Sequence, residues 1–234
     1  MNAEPKPREL VLLLHGLGRT SRVFWRLAPA LRRAGYEVRA HDYPSRQHSV
    51  RRLTEMFRRH LSRYADHPGP IHFVGHSLGA ILIRGALLAP APVKFGRVVM
   101  IGPPNNGAGF LGRMARRPWL RLMYGPAPVD LQEGSEYLRE LGVPDTEIGV
   151  IAGTDPFFAF NPASWFNQAY PPGRPHDGTI EVENTRLDGM ADFIALPVNH
   201  TLMCQHPEIM RQTAYFLRRG EFDHAEAQAA PAAE

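Results

Sequence analysis

The 234-residue chain is nearly devoid of cysteine: Cys204 is its one thiol, so no intrachain disulfide can form. Such cysteine usage fits a reducing compartment. Long hydrophobic runs are missing too. No apolar stretch approaches the ~20 residues that cross a bilayer. The start, Met1 to Glu9, is polar and proline-broken, without the apolar segment of a secretory signal. These absences lead to the expectation of a cytoplasmic protein. Also lacking are an H-E-x-x-H pair, a P-loop and a G-x-G-x-x-G after a strand. No metal and no cofactor are therefore expected. The net charge is +4, and no nucleic-acid-binding motif accompanies it, so nucleic acid is not an expected partner.

What is present reads as one globular α/β domain. With 44% hydrophobic and 21% charged residues, the chain can bury a substantial core, which excludes a disordered or fibrous class. The charge is unevenly placed. Arg113, Arg116, Arg117 and Arg121 lie between Gly107 and Tyr124 with no acid among them, so the rest of the chain nets to zero. Arg51, Arg52, Arg58, Arg59 and Arg63, opposed mainly by Glu55, read as the solvated face of a helix.

Strand and helix signals alternate. Leu10 to Leu14 is a continuous apolar run, as in a strand buried on both faces. Val23 to Ala34 carries Phe24, Leu27 and Leu31 at helical spacing and ends at Gly35. Tyr36 to Asp42 reads as a strand, and Leu53, Phe57, Leu61 and Tyr64 mark the core face of a helix. Ile71 to Val74, Arg97 to Ile101, Ile148 to Ala152 and Phe193 to Pro197 are further strands. A last helix runs from Pro207 to about Arg219. Repeated βα units predict a mostly parallel, doubly wound sheet flanked by helices, with the site at the carboxyl ends of its strands. The loops after Leu14, Val74, Ile101, Ala152 and Val198 should then converge.

The domain is expected to span 9–222, with a disordered tail over 223–234 that has little to bury. Residues 103–147 are too long for a simple connection. They hold Phe110, Leu111, Met114, Trp119, Leu120, Leu122, Met123 and Tyr124, interleaved with the four arginines, then a second helical pattern over Leu131 to Leu141. Two readings stay open: a helical excursion packed on the sheet, or a cap over the site whose apolar face binds acyl chains or whose basic amphipathic edge makes a peripheral contact with an anionic lipid surface.

Chemistry enters at Gly75-His76-Ser77-Leu78-Gly79, between a strand and a helix. A G-x-S-x-G in that setting is a nucleophile elbow: the turn is so tight that a Cβ at either flanking position would collide with strand or helix. A serine needs a general base, and the base needs an acid that sets its tautomer. His200 follows the last strand and is the candidate base. His206 competes for that role but stands at the entrance to the final helix. His15 and His76 lie at strand ends and read as walls of the site. Asp177, in His176-Asp177-Gly178-Thr179-Ile180, is the preferred acid, and Asp155 is the alternative, with a turn or helix cap as its other role. Asp188 and Asp192 are weaker. Backbone amides of Leu78, at a helix start, and Leu17, after Gly16, are the candidate oxyanion-hole donors.

Leu12-Leu13-Leu14-His15-Gly16, the G-H-S-L-G elbow, Asp177-Gly178-Thr179-Ile180 and His200 together resemble the α/β-hydrolase fold family. Within it the chain is similar to the small serine esterases and lipases of the triacylglycerol-lipase and inositol-deacylase branch. The resemblance runs from about Glu9 to Phe222 and is weakest over 102–147. Gly102-Pro103-Pro104-Asn105-Asn106-Gly107 resembles a strand-end loop of those lipases but carries an asparagine pair in place of the usual pattern. The resemblance implies a carboxylic-ester hydrolase acting on a small-molecule ester or a lipid. An acyltransferase, thioesterase or amidase would use the same triad, and a silent scaffold would have lost part of it.

Overall fold

The computed structural model describes residues 8–109, 112, 117–156 and 173–227. Six strands form one parallel sheet in the order β2-β1-β3-β4-β5-β6. They are β1 (Leu10–Leu14), β2 (Glu37–His41), β3 (Ile71–His76), β4 (Phe95–Ile101), β5 (Ile148–Gly153) and β6 (Asp192–Leu196). β1, β3 and β5 are buried at every position, which is why they are apolar without alternation: helices cover both faces. Alternate side chains feed two cores. Leu10, Leu12, Leu14 and Phe73 pack under α2 (Val50–Leu61) and α3 (Leu78–Leu87). Val11, Leu13, Val74 and Val99 pack under α1 (Leu27–Arg33) and a long C-terminal helix, Pro207–Arg219.

α2 shows how sequence dictates placement. Val50, Leu53, Phe57 and Leu61 fall on one face and are buried, while Arg51, Arg52, Arg58 and Arg59 are exposed. Ser49 caps the helix by accepting the Arg52 amide at 3.3 Å. The expected helix over 23–34 is two pieces, a 3-10 turn Ser21–Phe24 and then α1. Pro29 has no N–H for the Trp25 carbonyl, so the α-helix starts within one turn of it.

The 103–147 segment holds α4 (Pro118–Tyr124), α5 (Ala127–Asp130) and α6 (Glu136–Glu140). Phe110, Leu111, Arg113, Met114 and Arg116 lie outside the described residues. The helical pattern over 131–141 is realised only as α6, because Gly134 adopts φ 68° and Ser135 then caps, accepting the Leu138 amide at 3.3 Å. Ala127, Leu131, Tyr137 and Leu138 are buried in the α2–α3 core. Arg84 of α3 locks this stretch in place. It is buried and donates to the carbonyls of Gly142 at 2.8 Å, Leu141 at 2.6 Å and Asn105 at 3.2 Å. Residues 127–142 are thus held against the α2–α3 core.

After β5 come α7 (Val182–Thr185), β6, α8 (Pro207–Arg219) and α9 (His224–Ala227). The alternating apolar residues after Asp177 make a single bridge, His176 to Glu181, and then turn into α7. The tail expected to be disordered from 223 is ordered through 227. Arg211 pairs with Asp223 at 2.7 Å, and His224 with Asp192 at 3.0 Å. Residues 228–234 lie outside the described ones. No described helix is long and apolar enough to cross a membrane.

Candidate active site

The elbow is built by steric necessity. A Cβ on Gly75 would come within 2.5 Å of the Ala80 backbone, and one on Gly79 would run into the Leu14 carbonyl and lie 2.7 Å from that of His15. Between them Ser77 takes φ 52° and ψ −121°, and it is the one non-glycine residue with positive φ among those described. Such a conformation costs on the order of 1–3 kcal/mol and persists only where the surroundings impose it. The Ser77 amide donates to the Ile101 carbonyl at 2.9 Å, which ties the turn to the end of β4. α3 starts at Leu78, so the Leu78 amide has no intrahelical acceptor.

His200 arrives from the loop after β6. Its Nδ1–H donates to Asp177 Oδ2 at 2.7 Å, and its amide donates to the Asp177 carbonyl at 2.9 Å. The Asp177 carboxylate is fully buried, and its other oxygen accepts the amides of Thr179 at 2.9 Å and Ile180 at 2.7 Å. The turn at Gly178, φ 89°, makes those two amides converge. With Nδ1 protonated, Nε2 of His200 is the nitrogen free to accept a proton. The ring sits beside the elbow: its centroid is 4.8 Å from that of His76, and a Cβ on Gly102, the residue after β4, would lie 3.1 Å from Nδ1. The Ser77 hydroxyl makes no hydrogen bond among the described residues, a looseness common before substrate closes a site.

In the sequence Gly102 stood out only as the start of a strand-end loop, and Gly153, the last residue of β5, was not singled out. Gly102 adopts φ 55° and makes room for the His200 ring; a Cβ on Gly153 would sit 2.7 Å from Asp177 Cβ. Asp155 follows β5, and the carboxylate bonded to His200 Nδ1 is that of Asp177. His206 is the residue before α8, and its buried Nδ1 has no hydrogen-bond partner among the described residues.

The loop after β1 closes the site from the other side. A Cβ on Gly16 would meet Ser77 Cβ at 3.2 Å, so the backbone runs directly against the serine. The Gly16 carbonyl is held by His15 Nδ1–H at 2.9 Å and by the Arg19 amide at 3.2 Å. In a trans peptide the N–H points opposite to the C=O, so this grip also aims the Leu17 amide. His15 is fixed in turn by Tyr43, whose ring stacks on it at 4.2 Å and whose amide donates to Nε2 at 3.4 Å. The Tyr43 hydroxyl donates to the His15 carbonyl. Burial lowers the basicity of both His15 and His76, so they stay neutral walls. The sequence held no signal for Tyr43; its partner, His15, follows another strand. The asparagine pair is a brace: Asn105 Nδ2 donates to the Thr185 carbonyl at 2.8 Å and Asn106 Nδ2 to that of Arg186 at 2.9 Å.

The model of the Alpha/beta hydrolase family matches residues 11–232. The chain belongs to the α/β-hydrolase family. No curated protein matches it. This α/β hydrolase is similar in structure to a Bacillus licheniformis lipase in mature form, with TM-score 0.72 and 18% identity over 92% of this chain and 94% of that one. It is similar also to a phospholipase of Legionella pneumophila, with TM-score 0.71 and 15% identity over 91% of this chain and 60% of that one. A metagenomic carboxyl esterase matches with TM-score 0.63 and 18% identity over 86% and 69%. At these identities the likeness is one of fold, and the chemistry of this α/β hydrolase must be read from its own side chains.

Proposed function

We propose that the protein is a serine hydrolase of carboxylic esters, lipid esters among them. Ser77 attacks the ester carbonyl, and His200 takes its proton and returns it to the leaving alcohol. Asp177 holds His200 in the Nδ1–H tautomer and stabilises the imidazolium. The amides of Leu78 and Leu17 receive the oxyanion, each donor being worth about 3 kcal/mol. Water then releases the acyl group from Ser77 by the same route. The observation that carries this reading is the 2.7 Å bond from His200 to the buried Asp177 carboxylate, alongside a serine in strained positive-φ geometry. The lipase, phospholipase and esterase among the fold relatives support it.

The test is turnover of p-nitrophenyl esters from acetate to palmitate. Ser77→Ala is expected to keep its fold and lose both hydrolysis and labelling by a fluorophosphonate. Retained turnover in that variant would falsify the assignment. A peripheral lipid contact is part of the same proposal. It is supported by α4, where Leu122 is 90% and Met123 50% exposed next to the exposed Arg117 and Arg121.

A further inference from the structure

His76 stands beside the nucleophile in sequence, and it is buried against the His200 ring. Its Nε2 is 3.1 Å from the carbonyl oxygen of His200. A carbonyl cannot donate, so Nε2 carries the hydrogen and Nδ1 is a bare acceptor. That acceptor has no partner among the described residues, and it faces Gly16, where a Cβ would lie 3.0 Å from it. A buried acceptor without a donor is an expense in stability, and such groups are rare in folded proteins. A leucine of similar bulk would fill the space without it. The one polar contact the ring makes among the described residues is that of its other nitrogen.

What it does is complete the grip on the His200 main chain. The His200 amide is held by the Asp177 carbonyl at 2.9 Å, its Nδ1 by the Asp177 carboxylate at 2.7 Å, and its carbonyl by His76. The first two restraints come from one loop. The third comes from the last residue of β3, the strand that leads directly into Ser77, and so links base and nucleophile through a rigid element. We propose that His76 is a positioning residue: its Nε2–H sets the His200 backbone relative to the elbow, and with it the line from imidazole to serine hydroxyl. Neutrality is part of the device. Burial, and after it the charges His200, Arg19 and His15 can carry, all disfavour a proton on the His76 ring, so a cation there would be poorly compensated.

This inference rests on the Ser77–Asp177–His200 reading, and the experiment separates the two. His76→Leu removes the donor, His76→Gln keeps an amide N–H at the reach of Nε2, and His76→Asn presents one too short to reach. Misplacing a catalytic group by about an ångström costs up to about 100-fold in rate. His76→Leu and His76→Asn are therefore expected to lose about 10- to 100-fold in kcat on a p-nitrophenyl ester, with KM within about twofold. The fluorophosphonate labelling rate should fall in parallel. His76→Gln should recover most of kcat. The low-field proton resonance of His200 Nδ1–H should persist in wild type and His76→Gln and broaden or move in His76→Leu. Melting temperatures should stay close to wild type, which separates positioning from a packing role. Wild-type kcat in His76→Leu, or equal loss in the Leu and Gln variants, overturns the proposal. Should His76→Leu fail to fold, the comparison of Asn with Gln decides it. An active Ser77→Ala would defeat the underlying triad instead, whatever the residue 76 variants show.

Discussion

At the scale of single residues, the site is set by positions where only one kind of side chain fits. Ser77 is strained because its hydroxyl must project from a turn that Gly75 and Gly79 make possible. Glycine at 77 would relieve that strain, whereas alanine would keep it. Ser77→Gly is thus expected to be more stable than Ser77→Ala by about 1 kcal/mol in urea unfolding, both being inactive. Equal midpoints would show that the elbow is not strained. Asp177 offers a second check. Asparagine there cannot hold the Nδ1–H tautomer on both sides of the cycle, and Asp177→Asn should lower kcat about 10⁴-fold while substrate binding changes little. A loss of under tenfold would return Asp155 to consideration. The elbow, His200 and both acid candidates were legible in the sequence because turn sterics and strand-end position are local properties. The sequence also favoured Asp177 over Asp155, but which carboxylate reaches His200 depends on which loop the strand order brings there.

Among the elements, the 103–147 segment behaves as two parts. Its second half is core, pinned by Arg84, a buried guanidinium whose hydrogen-bond partners are carbonyls on Asn105, Leu141 and Gly142. Arg84→Met would leave those carbonyls orphaned, each unsatisfied group costing about 1–3 kcal/mol. A fall of about 3 kcal/mol in unfolding free energy is expected, with earlier proteolysis between 103 and 147. Its first half ends in α4, whose tip presents Leu122 and Met123 to solvent. Gly125 at the end of α4 adopts φ 74°, and a Cβ there would run into the Arg46 carbonyl, so the helix is seated on the 44–47 turn. Replacing Leu122 and Met123 by serine should weaken sedimentation with anionic vesicles several-fold and leave turnover of a short soluble ester unchanged. Unaltered vesicle binding would remove the lipid contact from the proposed function. Helical periodicity over 131–141 predicted more helix than forms, because a glycine at φ 68° interrupts it.

Over the whole molecule, the parallel sheet gathers five loops at the carboxyl ends of its strands, and with them His15, His41 and His76, whose basicity burial lowers. That has a consequence for stability. At the end of β2, burial and the nearby His60, His15 and Arg63 lower His41 from 6.5 to about 4, against a weaker opposite pull from Asp42. Below pH 6.5 the unfolded chain takes up a proton at residue 41 that the folded chain refuses until about pH 4. Stability contributed by the neutral ring is thus whole above 6.5 and is lost as the pH falls through that window. The group is partly exposed, so a discounted loss of about 1–2 kcal/mol is expected between pH 7 and 4. His41→Phe should show a shallower pH slope in urea unfolding; an unchanged slope would place the titration elsewhere. The sequence by itself determined the order of strands and helices along the chain, the serine elbow and the candidates for base and acid. Apolar periodicity and glycine-bounded turns act over a few residues and can be read in a line. Tertiary structure alone decided that Asp177 meets His200 across 23 positions, that Tyr43 braces the loop at His15, and that 127–142 belongs to the core. Those pairings arise from strand order and from helices docking on one face or the other, and such long-range choices leave no local mark.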